Sequence, residues 1–104
     1  MVHVLAFITT KPGMRDTVLA SFNANVPAVL AEDGCIEYGA TVDVANAGPI
    51  QTKVGDDSFV VVEKWASMSA LGAHAKSAHM AAYAGKVKDM LQDRVIHVME
   101  AAAS

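Results

Sequence analysis

Apolar side chains run along both faces of the first segment, where Val2, Val4, Ala6 and Ile8 alternate with His3, Leu5 and Phe7. A run without a polar face predicts a strand covered on both sides. Lys11-Pro12-Gly13 interrupts it, and Val18, Leu19, Phe22, Val26, Val29 and Leu30 then recur at helical spacing. This predicts a helix, bent at Pro27 and closed by Asp33-Gly34, because glycine tolerates the positive φ found just past a helix end. Cys35 to Val44 reads as a second strand. The hydrophilic, Gly- and Pro-bearing stretch Ala45 to Ser58 is too long for a tight turn and reads as an extended hairpin loop that reaches over a neighbouring subunit. Phe59 to Trp65 is the clearest strand, rich in β-branched and aromatic residues, and its odd positions Phe59, Val61, Glu63 and Trp65 share one face. Ser67 caps a short helix to about His74, and Ser77 caps a longer one to about Leu91 with His79, Tyr83, Val87 and Met90 in a stripe. Val95 to Met99 reads as the last strand, with Ala101 to Ser104 a frayed tail.

The order β-α-β-β-α-β is the split βαβ pattern, so the expected fold is α+β and ferredoxin-like, a four-stranded antiparallel sheet with helices on one face. The opposite face needs a cover, because the first and third strands are apolar at odd and even positions alike. A second sheet from a partner subunit is the simplest cover. Size points the same way: 104 residues make one domain, 1–104, and 53% hydrophobic residues in so short a chain are hard to bury without a partner. We therefore expect a homodimer.

With 18% charged residues, a net charge of -3 and no basic stripe, the chain offers nothing to neutralise phosphates or anionic lipid, which argues against nucleic-acid and membrane partners. Met1 to Thr10 lacks a basic leader before its apolar run, no run approaches bilayer-spanning length, and the single Cys35 fits a reducing setting. A cytoplasmic protein is expected, with Cys35 a small apolar filler rather than a reactive thiol.

The chain carries neither a phosphate-cradling glycine motif nor a Gly-x-Ser-x-Gly elbow, so nucleotide-dependent and serine-hydrolase chemistry have no foothold. His74 and His79 are least explained by packing, since imidazole gains little from an apolar helix face unless it is hydrogen-bonded or exposed. Each is read as a hydrogen-bonded structural histidine or as a pocket acid/base or substrate donor; a spacing of five rather than four argues against a shared metal on one helix face. Glu63 lies on the same face as Phe59, Val61 and Trp65. A carboxylate there needs a partner such as His79, or a raised pKa. Its two readings are structural pairing and proton handling. Trp65 reads as core or pocket wall, and Tyr38 and Tyr83 as core-edge residues whose phenols could serve a polar substrate. His3 and His97 fall on flanking strands and read as edge residues.

Glu63-Lys64-Trp65, followed by Ser67, Ala70-Leu71, His74, Ser77 and His79, resembles the strand-to-helix signature of the antibiotic-biosynthesis-monooxygenase family, Glu-x-Trp and then Ala-Leu-x-x-His-x-x-Ser-x-His. Pro12-Gly13, Gly34-Cys35 and Tyr38 are similar to its first loop and second strand, so the likeness covers nearly the whole chain. The resemblance implies a dimeric α+β barrel with one pocket per subunit between helices and sheet. It also implies a cofactor-independent monooxygenase acting on a small quinol or polyphenol-type aromatic with molecular oxygen, without flavin, metal or haem. The base would be His74, His79 or Glu63, with Trp65, Tyr38, Tyr83 and Phe59 around the ring. Haem-degrading relatives use an asparagine on the first strand and a helix histidine. Val2 to Ile8 has no Asn, and Tyr83 and Ala84 stand where the histidine is wanted. Other relatives are isomerases or non-catalytic ligand-binding dimers, which remain the alternatives, and the loop Ala45 to Asp57 is longer than in typical members.

Overall fold

The computed structural model describes residues 1–103. Strand β1 (Val2–Thr10) leads into helix α1 (Arg15–Leu30), then strands β2 (Cys35–Thr41) and β3 (Ser58–Trp65), helices α2 (Met68–Ala75) and α3 (Ala78–Val87), a 3-10 turn (Lys88–Met90) and strand β4 (Leu91–Met99). The strands form one antiparallel sheet in the order β2-β3-β1-β4, the topology expected from the apolar pattern.

Strand registers assign the faces. Ala6 sits opposite Val61 and Ile8 opposite Phe59, so the even positions of β1 and the odd positions of β3 point the same way. That face is the buried one. Val4, Ala6 and Ile8 join Phe59, Val61 and Trp65 beneath Val18, Phe22 and Val29 of α1 and Val87 of α3. The opposite face carries Leu5, Phe7, Val60, Val62 and Val95, of which Phe7 is 38% and Val95 44% exposed. All eight residues of β4 after Leu91 are exposed, including Ile96 and Val98 on the helix side of the sheet.

Several element ends differ from the sequence expectation, each for a local reason. Strand β2 stops at Thr41, not Val44, because Asp43 turns out of the ladder and its carboxylate accepts the backbone N–H groups of Val54 and Gly55, both at 2.9 Å. Those two hydrogen bonds hold the Asp43 carboxyl below the usual range. The 42–57 connection is thus tied to its own chain, and at its base Gly13 N–H donates to Asp57 (3.0 Å) and Arg15 to the carbonyls of Gly55 and Ser58. Helix α3 ends at Val87 rather than near Leu91, and β4 starts at Leu91 rather than Val95. The polar Gln92-Asp93-Arg94 segment reads as loop, yet it pairs along the end of β1 as an edge strand, where polar side chains are at home. Helix α1 continues through Pro27 to Leu30. Residues 100–103 have no regular structure, and Ser104 of the expected frayed tail lies outside the described residues.

Candidate active site

Two serines build the helical side of the site. Ser67 Oγ accepts the Ala70 N–H at 3.1 Å and starts α2; Ser77 Oγ accepts the Met80 N–H at 3.4 Å and starts α3. Ser77 Oγ also donates to the His74 carbonyl at 2.8 Å, which locks the corner between the two helices. His74 at the end of α2 and His79 at the start of α3 therefore sit on different helices. Ligand spacing on a single helix face does not apply to them.

What brings the two imidazoles together is Glu32, in the turn after α1. Its Oε2 accepts from His74 Nδ1 and from His79 Nε2, each at 2.9 Å. Since a carboxylate accepts only, both ring nitrogens carry the proton in this arrangement, which fixes the tautomer of each neutral ring. His74 is 5% exposed, whereas the His79 side chain keeps 31% of its surface. The triad runs from the interior to the edge of a groove. Ser77 Oγ lies 3.3 Å from His79 Nε2.

Glu32 reaches this position because Gly34 permits it. Gly34 has φ +81°, and a Cβ added there would lie 2.6 Å from the Ala70 Cβ, closer than two carbons approach. The turn between α1 and β2 is thereby pressed against the first turn of α2, and Ala66 N–H closes the contact on the Gly34 carbonyl at 2.8 Å.

On the sheet side, Trp65 and Glu63 share a strand face and pair with each other, the indole Nε1–H donating to Glu63 Oε1 at 2.9 Å. The partner is thus Trp65, two places along the same strand face, and not His79, which pairs with Glu32. Burial pushes the Glu63 carboxyl above the usual range; the Trp65 hydrogen bond and nearby His74 pull it down, and Glu32 adds to the rise. A partner and a raised pKa thus occur together. The His74 ring lies 4.6 Å from Trp65 and 5.4 Å from Tyr38, centroid to centroid.

Tyr38 stacks on Phe22 at 5.2 Å, and Phe22 also meets the edges of Phe59 (5.9 Å) and Tyr83 (6.0 Å). Phe59 is fully buried in this aromatic cluster, while Tyr83 is half-buried beside α1. Burial pushes the Tyr83 phenol up to about 12, and burial first, then the Glu63 charge, pushes Tyr38 up further. Neither phenol ionises near neutrality, so both act as hydrogen-bond donors. The Tyr38 hydroxyl is directed at Met80 Sδ at 4.0 Å, and the Asn25 amide donates to the same sulfur at 3.4 Å. Thioether sulfur is a weak acceptor, so two good donors are spent on a poor partner.

A groove of about 250 Å³ between α1 and α3 is lined by Ser21, Asn25, His79, Tyr83 and Lys86. A second, of about 340 Å³, lies at the end of the sheet against His3, Leu5, Val62, Lys64 and Met99. The α1–α3 groove meets the triad at His79; of the expected ring-walling residues Tyr83 lines it, and Trp65, Tyr38 and Phe59 do not. His3 lies along the second groove, and the His97 ring meets the edge of Phe7 at 5.8 Å on the exposed sheet face. Cys35 is half-buried, and burial followed by the charges of Glu32 and Glu63 pushes its thiol up, which disfavours the reactive thiolate.

Sequence reasoning missed Glu32, Asn25 and Met80. Glu32 reads as a solvated turn residue beside Asp33, and its pairing spans 42 and 47 positions of chain, which no local pattern reveals.

The sequence pattern of the antibiotic biosynthesis monooxygenase family matches residues 1–86. Over 102 residues the chain is 39% identical to "Probable quinol monooxygenase YgiN" of Escherichia coli strain K12, covering 96% of this chain and 97% of that protein. It is similar to a crystal structure of an antibiotic biosynthesis monooxygenase, at 26% identity and a TM-score of 0.79, covering 98% of this chain and 99% of the other. Rv0793 from Mycobacterium tuberculosis shares the fold at 24% identity, with a TM-score of 0.79 over 99% of this chain and 96% of its own. Similarity to monooxygenases along almost the full length supports an oxidoreductase-type activity. Among the described residues, no helix is long and apolar enough to cross a membrane.

Proposed function

The chain belongs to the antibiotic biosynthesis monooxygenase family, and on that premise we propose that it oxidises a small quinol or polyphenol-type aromatic with molecular oxygen, without a cofactor. The observation that carries this reading is the gathering of His74, Glu32 and His79, running from the apolar and aromatic interior to the groove edge, beside the buried Glu63–Trp65 pair. Such a site holds protons and excludes water, which is what the chemistry asks of the protein.

A base takes a proton from a ring hydroxyl, and the electron-rich anion passes one electron to oxygen. Recombination of the two radicals forms a carbon–oxygen bond, and the resulting ring hydroperoxide loses water. One oxygen atom stays on the ring as a quinone carbonyl and the other leaves as water, so a hydroxyarene and one O2 give a quinone and one H2O. His74 is the proposed base, held by Glu32, with His79 passing the proton to the groove and Glu63 a second proton carrier. Trp65, Tyr38, Tyr83 and Phe59 form the ring's surroundings.

The α1–α3 groove, at about 250 Å³, falls just short of the roughly 300–1,000 Å³ usual for ligand sites. In this reading it is the mouth, and the flexible Met80 side chain moves aside so that a substrate hydroxyl takes the Tyr38 and Asn25 donors from the sulfur. The functional unit is a homodimer joined through the exposed sheet face, where Phe7, Val95 and Met99 lie. A cytoplasmic setting suits the unpaired Cys35.

The test is oxygen uptake by EDTA-treated protein with a panel of dihydroxynaphthalenes and polyphenols, with product mass measured under 18O2. Incorporation of one labelled atom is expected, and His74→Ala is expected to lower kcat by about 10²-fold or more. Binding of the panel without oxygen uptake would replace this reading with a ligand-binding dimer, and rearrangement of a ligand without uptake would favour an isomerase.

A further inference from the structure

We infer that Glu32, His74 and His79 form a binding site for one divalent first-row transition metal ion per chain, alternative to the hydrogen-bonded triad. Three ligating atoms, one from each residue, lie within 4.8 Å of one another. The two contacts at 2.9 Å already bring His74 Nδ1 and His79 Nε2 close to Glu32 Oε2. Around a tetrahedral ion with bonds of about 2.0–2.2 Å, neighbouring ligand atoms stand about 3.3–3.5 Å apart. Lengthening the two Glu32 contacts by about half an ångström, and closing the two histidine nitrogens from within 4.8 Å to about 3.4 Å, converts the hydrogen-bonded set into a coordinating one.

Each feature of the cluster favours coordination. His74 is buried, its ring packed 4.6 Å from Trp65 and its helix corner tied down by Ser77, so little side-chain freedom is lost when an ion binds. His79 lines the α1–α3 groove, which gives an ion and a completing water a way in. Ser77 Oγ, 3.3 Å from His79 Nε2, is placed to hydrogen-bond that water. Two imidazoles and one carboxylate select ions such as Zn2+, Ni2+ or Cu2+ over Mg2+ and Ca2+, which prefer oxygen.

In the triad both ring nitrogens point a proton at Glu32; in the metal-bound form they point lone pairs at the ion. The two forms exclude each other, so a bound ion occupies the nitrogen through which Glu32 holds His74. Binding does not depend on oxygenase activity and is read without it.

The experiment is calorimetric titration of the EDTA-treated full chain with Zn2+ alone, paired with NMR of the histidine ring N–H protons. One Zn2+ per chain is expected, together with loss of the His74 Nδ1–H and His79 Nε2–H signals as each ring proton moves to the other nitrogen. His79→Ala, at the groove edge, and Glu32→Gln should each weaken binding at least tenfold, whereas His3→Ala and His97→Ala leave it unchanged. Absence of stoichiometric binding overturns the inference, as does equal affinity in His79→Ala, a result that stands even if Glu32→Gln does not fold. Loss confined to the His3 or His97 variant would overturn it too.

Discussion

The two faces of the sheet are built from nearly the same residue types and end in opposite states. On the helix side, Phe59, Val61, Glu63 and Trp65 are all under 8% exposed, and the carboxylate among them has an indole partner. On the other side, Phe7 and Val95 face each other across β1 and β4 and both remain open. The first face is covered within a single chain over β1 and β3, while Ile96 and Val98 of β4 on the same side stay about half exposed. The other stays open in the single chain, so similar apolar patterning ends covered on one side of the sheet and exposed on the other.

The sharpest way to break that contrast is on the covered face. Trp65→Ala removes its largest fully buried side chain and strands Glu63 without its donor. A loss of about 3–5 kcal/mol is expected in urea unfolding, the usual range for deleting a buried aromatic. On the open face, Phe7→Asp should cost about 2–4 kcal/mol in association, seen as dissociation in sedimentation velocity. The stability of the isolated chain should then change by less than about 1 kcal/mol. If the same substitution unfolds the chain without altering its mass in solution, Phe7 belongs to the subunit core and the contrast fails. Gly34→Ala is a test at the seam between α1 and α2. It meets both a left-handed φ and a clash, and is expected to lower stability by about 2 kcal/mol.

Glu63→Gln is the smallest and most diagnostic change. Glu63 binds its proton more tightly folded than unfolded, because burial outweighs the help of Trp65 and His74. Its contribution to stability is therefore fully present below the ordinary carboxyl pKa and is lost as pH rises through the raised value. Glutamine keeps an acceptor for the indole and carries no charge. The variant should match or exceed the parent by up to about 1 kcal/mol at pH 7 and flatten the pH dependence above the ordinary carboxyl pKa. An unchanged pH profile would show that Glu63 titrates alike in both states.

Most of the scaffold was legible because it is written in short-range pattern. The two-sided apolar run of β1, the β-branched run of β3 and the serines at 67 and 77 each act within a few residues of themselves, and each appears where pattern places it. The element ends that slipped are those decided across the chain: Asp43 reaching Val54 and Gly55, and polar Gln92 to Arg94 drawn into an edge by pairing with β1. The site divides in the same way. His74, His79, Glu63 and Trp65 stand out as residue types at odds with their surroundings, but which carboxylate answers which histidine depends on how α1, α2 and β3 meet. For that reason Glu32 is invisible to local pattern, and the partner of Glu63 is Trp65 where His79 is the example expected, while the raised carboxyl pKa is found as the alternative.

The contact between Gly34 and Ala70 sets a tolerance in the mechanical sense. Glu32 hangs from the turn that this contact presses down, and its one oxygen must span two imidazoles carried on separate helices. A spacer one methyl group thicker at position 34 would lift the carboxylate away from both rings at once, so the working gap of the site is machined by an atom the chain leaves out.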